Sequence, residues 1–419
     1  MRRAVICAVL TVAFAPFSAG AQSLMLTESE ALARLSTDSP RVRSARADVG
    51  IARVDVLSAG RWPNPRVNWD RQSVAGVTEH YLIVSQALPI TGRRRLEVEA
   101  ASARVSASSS RADDEVRRLR TDLRLAFADL VAAQTREREL TTARDRLRAL
   151  NEVLAKREGE GDAAGFDRLR AEREVLDIES DLVIAATERA RAQATAASFF
   201  GDITEPSQIV AVSHPISVAA VPSVDALLEQ AESSRGDLVA FRHDLEAARW
   251  AARAAERSLM PEPEIFLGTK SSTATSGGVG SAITVGQGAI GPVIGVHATI
   301  PVFDRARPER ALATARAAQA EAGANSFRVV LRGQVAALRE AVLQRQAAAD
   351  RYRSEAVNGA AEIERIAQVS YDAGERGILE LLDAYRVGAS ARVRQTTLDL
   401  AVRQAELELE FATGWEAPR

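Results

Sequence analysis

From Arg93 to Glu158 the chain contains neither proline nor glycine, and no other feature restricts its fold as strongly. Arginine, glutamate, alanine and leucine dominate, all good helix formers. Apolar side chains recur every three, four or seven residues at Val116, Leu119, Leu123, Ala126, Leu130, Ala133, Leu140, Leu147 and Leu154. Such a heptad-like stripe predicts a helix lying along a partner rather than a strand. A helix over 92–158, rising about 1.5 Å per residue, is a rod of roughly 100 Å, against about 8–20 residues for an ordinary globular helix. Apolar residues make up 46% of the chain but aromatics only 5%. That composition suits long, closely packed helices better than a thick globular core.

The chain opens with Met1-Arg2-Arg3, an apolar run from Ala4 to Phe17, and small residues at Ala19 and Ala21. A basic start, a short apolar core and an Ala-x-Ala ending predict a secretory leader over 1–21. The single cysteine, Cys7, falls inside it, so the mature chain carries no thiol for a disulfide, metal site or nucleophile. The 54 basic and 56 acidic residues nearly balance, which gives no footing for a nucleic-acid partner. No later run is apolar enough over about 18 residues to cross a bilayer as a helix.

Proline and glycine divide the remainder into two similar halves. The first, 22–221, reads as helices over 27–58, a β-hairpin over 66–88, the long helix 92–158, a return helix 163–200 and a connector 201–221. Thr27 and Glu30 have capping-box spacing at its start. The second, 222–419, reads as helices over 223–259, a β-hairpin over 264–301, a long helix 308–372 and a return helix 378–411. In that hairpin the strands are expected over 264–271 and 293–301, joined by a Gly/Ser/Thr-rich loop. The second rod's stripe is Leu331, Val335, Leu338, Val342, Ala349, Ala356, Ile363 and Ile366. Pro63-Asn64-Pro65 answers Pro261-Glu262-Pro263, Pro89 answers Pro301, Gly161 answers Gly374 and Gly201 answers Gly414. Matched punctuation at a nearly constant offset marks an internal repeat.

Four short strands attached to long helices raise a question of edges. An isolated hairpin is marginal in water, and in lipid strands are stable only as a closed barrel. Four strands cannot close alone, so several chains must contribute. Leu82, Val84 and Leu88, and their counterparts Ile294, Val296 and Ile300, alternate with other residues and are expected to face lipid.

The paired Pro-x-Pro punctuation, Ser85-Gln86-Ala87-Leu88-Pro89 before a long helix, and Tyr371-Asp372-Ala373-Gly374-Glu375 followed by Leu379-Glu380-Leu381-Leu382-Asp383-Ala384 resemble the TolC family of outer-membrane exit ducts. The resemblance spans the mature chain and touches the heavy-metal efflux branch. It implies a mainly α fold with a small β part, a homotrimer joining a twelve-helix α-barrel to a twelve-stranded transmembrane β-barrel. Implied partners are outer-membrane lipid, a periplasmic adaptor (membrane fusion protein) and an inner-membrane transporter. The implied address is the outer membrane of a Gram-negative bacterium, extending into the periplasm. The implied function is passive exit from a tripartite efflux pump or type I secretion system. By position, Glu380 and Asp383 correspond to the acids that ring the periplasmic aperture. Tyr371, Arg376 and Asp167 correspond to its latch, and Gly161, Asp162, Gly374 and Glu375 to turns that meet the adaptor. Glu380 is one methylene longer than the aspartate the family carries there. Glu158-Gly159-Glu160-Gly161-Asp162 is also more acidic than the apolar tip the resemblance implies.

A soluble periplasmic coiled-coil scaffold is the alternative, but an adaptor would have one helical hairpin, β-rich flanks and a membrane anchor. The four histidines, His80, His214, His243 and His297, stand singly without ligand spacing. Gly277-Gly278-Val279-Gly280 lacks the lysine and following helix of a phosphate loop. With no nucleophile–base pair or metal set, the chain reads as a non-enzyme without a cofactor.

Overall fold

The structure, a computed structural model, describes residues 23–416 apart from 36, 38, 75, 162–164, 202, 204, 214–219, 277–284 and 301. The leader, His214, Asp162 and Gly277 to Gly280 lie outside the described residues. The protein is mainly α-helical with a small β part. It divides into two compact units that do not coincide with the two sequence repeats.

One unit gathers Met1–Leu35, Leu123–Ile216 and Asp350–Leu400. Strand β1 (Leu24–Leu26) leads into α1 (Glu28–Arg34), where Thr27 closes a capping box with Glu30. The Thr27 hydroxyl accepts from the Glu30 N–H at 3.3 Å, and the Glu30 carboxylate accepts from the Thr27 N–H at 2.8 Å. Most of this unit is helical: the later part of α3 (Arg93–Gly159), α4 (Gly165–Ala197), α8 (Asn358–Asp372) and the earlier part of α9 (Ile378–Thr413). The connector between repeats is more ordered than its prolines suggest. A 3-10 turn, Pro206–Gln208, precedes β4 (Ile209–Ala211), which pairs in parallel with β1. Buried Gln193 holds that segment by donating to the Ser207 and Ile209 carbonyls at 3.1 and 2.8 Å.

The other unit gathers Ser36–Asp122, Ser217–Ala349 and Ala401–Arg419. It holds α2 (Pro40–Gly60), β2 (Arg66–Val74), β3 (Val77–Ala87), the first part of α3, α5 (Val224–Ser234), α6 (Gly236–Arg257), β5 (Pro263–Ser276), β6 (Val285–Ala298), nearly all of α7 (Arg307–Arg351) and the end of α9. Strands β5 and β6 are longer than their sequence suggests, and their pairing continues through Ser272↔Ala289 to Ser276↔Val285. The Ser/Thr/Gly run read as loop is small enough to extend the ladder instead. Leu88 and Ile300 lie just past the ends of β3 and β6.

This unit's core packs Leu227, Ala231 and Leu238 against Leu331, Val335, Val342, Ala405 and Leu409. Beside it lies a charged cluster. Arg235, 7% exposed at its side chain, sits 3.4 Å from Asp114 and 3.0 Å from Asp237, against the Phe327 and Phe411 rings. Arg117 donates to the Ser234 and Phe411 carbonyls, both at 2.6 Å. Burial lowers the Arg117 pKa below that of a free guanidinium, with Asp114 opposing the shift.

The second rod is not one continuous α-helix. A π-helical turn, Tyr352–Val357, separates α7 from α8. Buried positions run Val335, Val342, Ala349 at heptad spacing and resume at Ala360 and Ala367. That is four residues past the positions the heptad predicts, the signature of a stutter. Ile363 and Ile366, expected in the stripe, are therefore exposed.

Candidate functional site

Two surfaces carry the residues singled out by the sequence: the helix turns of the first unit and the sheet of the second.

At the turns, α3 ends at Gly159 and α8 at Asp372. Gly161 and Gly374 have φ of +90° and +72°, the left-handed region that glycine enters without strain. After α8 the Glu375 N–H donates to the Ser370 carbonyl at 2.9 Å and the Gly374 N–H to the Tyr371 carbonyl at 3.0 Å. This pair of bonds is a Schellman motif, which satisfies carbonyls that a helix end otherwise leaves open. After α3 the Gly161 N–H donates to the Glu158 carbonyl at 3.1 Å. Arg168, on α4, clamps the same turn by pairing with Glu158 at 2.5 Å and with Glu172.

The turns rest on an apolar cluster of Leu147, Leu150, Leu154, Ala171, Ala367, Ile378, Leu381, Leu382 and Ala384. Because Leu381, Leu382 and Ala384 take the buried side of α9, Glu380 and Asp383 occupy its exposed side, three residues apart. The spacing that makes them neighbours thus also frees them from the core. Asp383 accepts from Arg386 at 2.7 Å, an exposed pair that water screens to a small net effect. Arg376 is exposed, and no ion pair joins it to Asp167, Glu380 or Asp383 among the described residues. Tyr371 packs against the cluster, with the Arg157 guanidinium 5.4 Å from its ring centre and 3.3 Å from its hydroxyl. Asp167 lies in the first turn of α4, where the helix dipole favours an acid.

Sequence reasoning missed three partners here. Arg386 was readable from its i,i+3 spacing to Asp383. Arg157 on Tyr371, and the Tyr385 hydroxyl donating to Gln368, join residues distant in sequence and carry no local signal. Burial raises the Tyr385 pKa above its ordinary value, partly offset by Arg146. Deeper in the unit, Glu364 accepts from Arg146 at 2.9 Å and Arg392 at 3.0 Å, and its carboxylate fills the space a side chain at Gly388 would need.

In the other unit the four strands form one antiparallel sheet in the order β2-β3-β5-β6, so β2 and β6 are its open edges. The register lines up Val67, Val84, Leu267 and Ile294 in a row across all four strands, every one exposed. Trp69 and Leu82 extend that face on one side, Ile265 and Val296 on the other. The reverse face is mixed: it carries Ile83, Phe266 and Val293 together with two ion pairs, Arg66 with Glu264 at 2.5 Å and Lys270 with Glu79 at 2.8 Å. Two glycines serve the sheet. A side chain at Gly268 would run into the β3 backbone at Leu82 and Ile83, and the Phe266 ring lies over Gly295.

Among the described residues no helix is long and apolar enough to cross a membrane, and no group of His, Cys, Asp and Glu could hold a metal ion.

The second unit thus joins long helices to an open four-stranded sheet with an exposed apolar row. Residues 227–415 match the model of the outer membrane efflux protein family (OEP). No curated protein sequence matches. Among solved structures, a membrane protein from Pseudomonas aeruginosa superposes with a TM-score of 0.71 at 18% identity, over 92% of this chain and 93% of that one. VceC, an outer membrane protein of Vibrio cholerae, gives 0.67 at 19%, over 92% and 96%. CusC, which undergoes conformational changes with folding and transmembrane channel formation, gives 0.69 at 18%, over 92% and 91%. At these identities the likeness is one of fold. The TolC-family resemblance in the sequence agrees with the matched domain and with these channel structures, and the outer-membrane address is that of both. Near-equal identities to CusC and VceC single out no branch.

Proposed function

We propose that the protein is the outer-membrane exit duct of a tripartite efflux pump or type I secretion system, a passive conduit working as a homotrimer. The observation that carries this reading is the sheet: four strands with two unpaired edges, an exposed apolar row on one face and ion pairs on the other. In water that row is a liability and the edges invite aggregation. In lipid the row is solvated, and the edges find partners if three copies join β6 of one to β2 of the next in a twelve-stranded barrel. A soluble scaffold would leave both features without a purpose.

On this reading Glu380 and Asp383 ring the periplasmic aperture and give it cation preference. Asp167, Tyr371 and Arg376 latch it, and the turns at Gly161, Asp162, Gly374 and Glu375 meet a periplasmic adaptor bound to an inner-membrane transporter. Exposure of both ring acids on the face opposite the Leu381–Leu382 core supports the ring. Intact mass of the detergent-purified protein tests the assembly. Three copies per particle are expected, and a particle of a single chain that stays soluble without detergent contradicts the duct.

A further inference from the structure

The two places where strands give way to long helices share a construction that the duct reading does not use. In each repeat a hydrogen bond spans a proline position: the Ile90 N–H donates to the Leu88 carbonyl and the Val302 N–H to the Ile300 carbonyl, both at 2.9 Å. Each bend exposes large apolar residues. Ile90 is 69% exposed, Ile300 70% and Phe303 97%, the last an unusual position for a phenylalanine. Each is followed at once by arginines, Arg93-Arg94-Arg95 in one repeat and Arg305 and Arg307 in the other. In the second, Arg305 and Ala306 both have positive φ, +49° and +54°, the only non-glycine residues to do so among those described. Two adjacent strained residues cost on the order of 1–3 kcal/mol each and persist only where the surroundings enforce them. Here Asp304 accepts from the Ala306 N–H at 3.3 Å and Arg310 donates to the Arg305 carbonyl at 3.0 Å, holding the loop that exposes Phe303.

Packing within the chain does not account for an outward phenylalanine on a strained loop beside arginines, nor for the exposed Ile90 beside arginines at the matching place. A membrane surface does. Apolar side chains partition into the acyl boundary while guanidiniums bind the phosphates beside it. Arg94, lying over the exposed Trp62 ring at 5.3 Å, keeps a buried Nη1 without a hydrogen-bond partner. The bends are also continuous with the apolar face of the sheet, since they begin where β3 and β6 end.

We propose that the two junctions form a collar for anionic phospholipid of the periplasm-facing leaflet, Ile90 and Phe303 entering the acyl boundary and Arg95, Arg305 and Arg307 binding headgroup phosphates. This rests on the membrane reading of the sheet. It is tested on full-length protein reconstituted in phosphatidylethanolamine vesicles with and without phosphatidylglycerol. Phe303→Cys, which places the single thiol of the mature chain, carries a bimane label. A substitution at so exposed a position leaves the fold intact. Lipids brominated near the headgroup should quench the label, and aqueous iodide should not. Arg95→Gln and Arg305→Gln should each reduce the phosphatidylglycerol retained through purification about fivefold, the effect of one arginine at an anionic surface. Phosphatidylethanolamine retention should not change. Iodide quenching, quenching by neither agent because Phe303 is buried between copies, or unchanged phosphatidylglycerol in both variants overturns the collar. Wild-type protein that fails to float with vesicles overturns the membrane reading and the collar with it, whereas normal flotation with an iodide-quenched label overturns the collar alone.

Discussion

Asp114 accepts a hydrogen bond from the Gly236 N–H at 3.1 Å and lies beside the Arg235 and Arg117 guanidiniums. Taking away its carboxylate strands a buried cation, so Asp114→Ala is expected to cost about 3–5 kcal/mol. Denaturant unfolding in detergent measures it, and a loss near that of a surface substitution contradicts the assignment. Tyr385 offers a pH test with a defined sign. Burial raises its pKa, so the folded state holds the phenol proton more tightly than the unfolded state does. The stability it contributes is complete below the ordinary phenol value near 10 and is lost as pH rises through the raised folded value. Tyr385→Phe keeps the ring among its apolar neighbours and removes that titration. Melting curves should show the wild type losing stability more steeply than the variant above about pH 10, and parallel pH dependence would show that Tyr385 does not titrate as its burial requires.

At the scale of elements, the sheet depends on a close approach between β3 and β5. An added Cβ at Gly268 would lie 2.2 Å from the Leu82 carbonyl oxygen, and a backbone cannot yield as a side-chain tip can. Gly268→Ala should break the β3–β5 pairing and leave protein that folds its helices but no longer inserts into lipid, readable as retained helical circular dichroism without vesicle flotation. Long helices were legible because α3 has no internal breaker and a steady stripe, and because glycine with positive φ marks the turns at Gly161 and Gly374. The π turn was not legible. Tyr352–Val357 contains no proline or glycine, and the displaced stripe appears only when Ala360 and Ala367 are found buried in place of Ile363. The β1–β4 pair was hidden for a different reason: two three-residue strands distant in sequence carry no period long enough to detect. At the candidate gate, Glu380 and Asp383 were singled out only by the resemblance of the 379–384 stretch to the TolC family, while Arg157 and Gln368 reach their tyrosines only through tertiary packing.

At the scale of the whole molecule, the internal repeat gives each chain two sets of the parts a barrel needs. Each half supplies long helices and two strands, and neither half nor one chain closes an edge-free sheet. On the proposed reading, closure by three copies would turn the apolar row outward to lipid and the Arg66–Glu264 and Lys270–Glu79 pairs toward a water-filled interior. On the same reading, control of the duct is proposed to lie in the charges at the helix turns. Single-channel recording of purified protein in planar bilayers tests this most directly, comparing wild type with Arg376→Ser and with Glu380→Gln/Asp383→Asn. The account predicts small cation-selective openings in the wild type, larger openings when the latch arginine is removed, and loss of cation preference when the ring acids are neutralised. Channels unchanged in size and selectivity in both variants would contradict the gate, and well-folded protein that never forms a channel would contradict the duct itself.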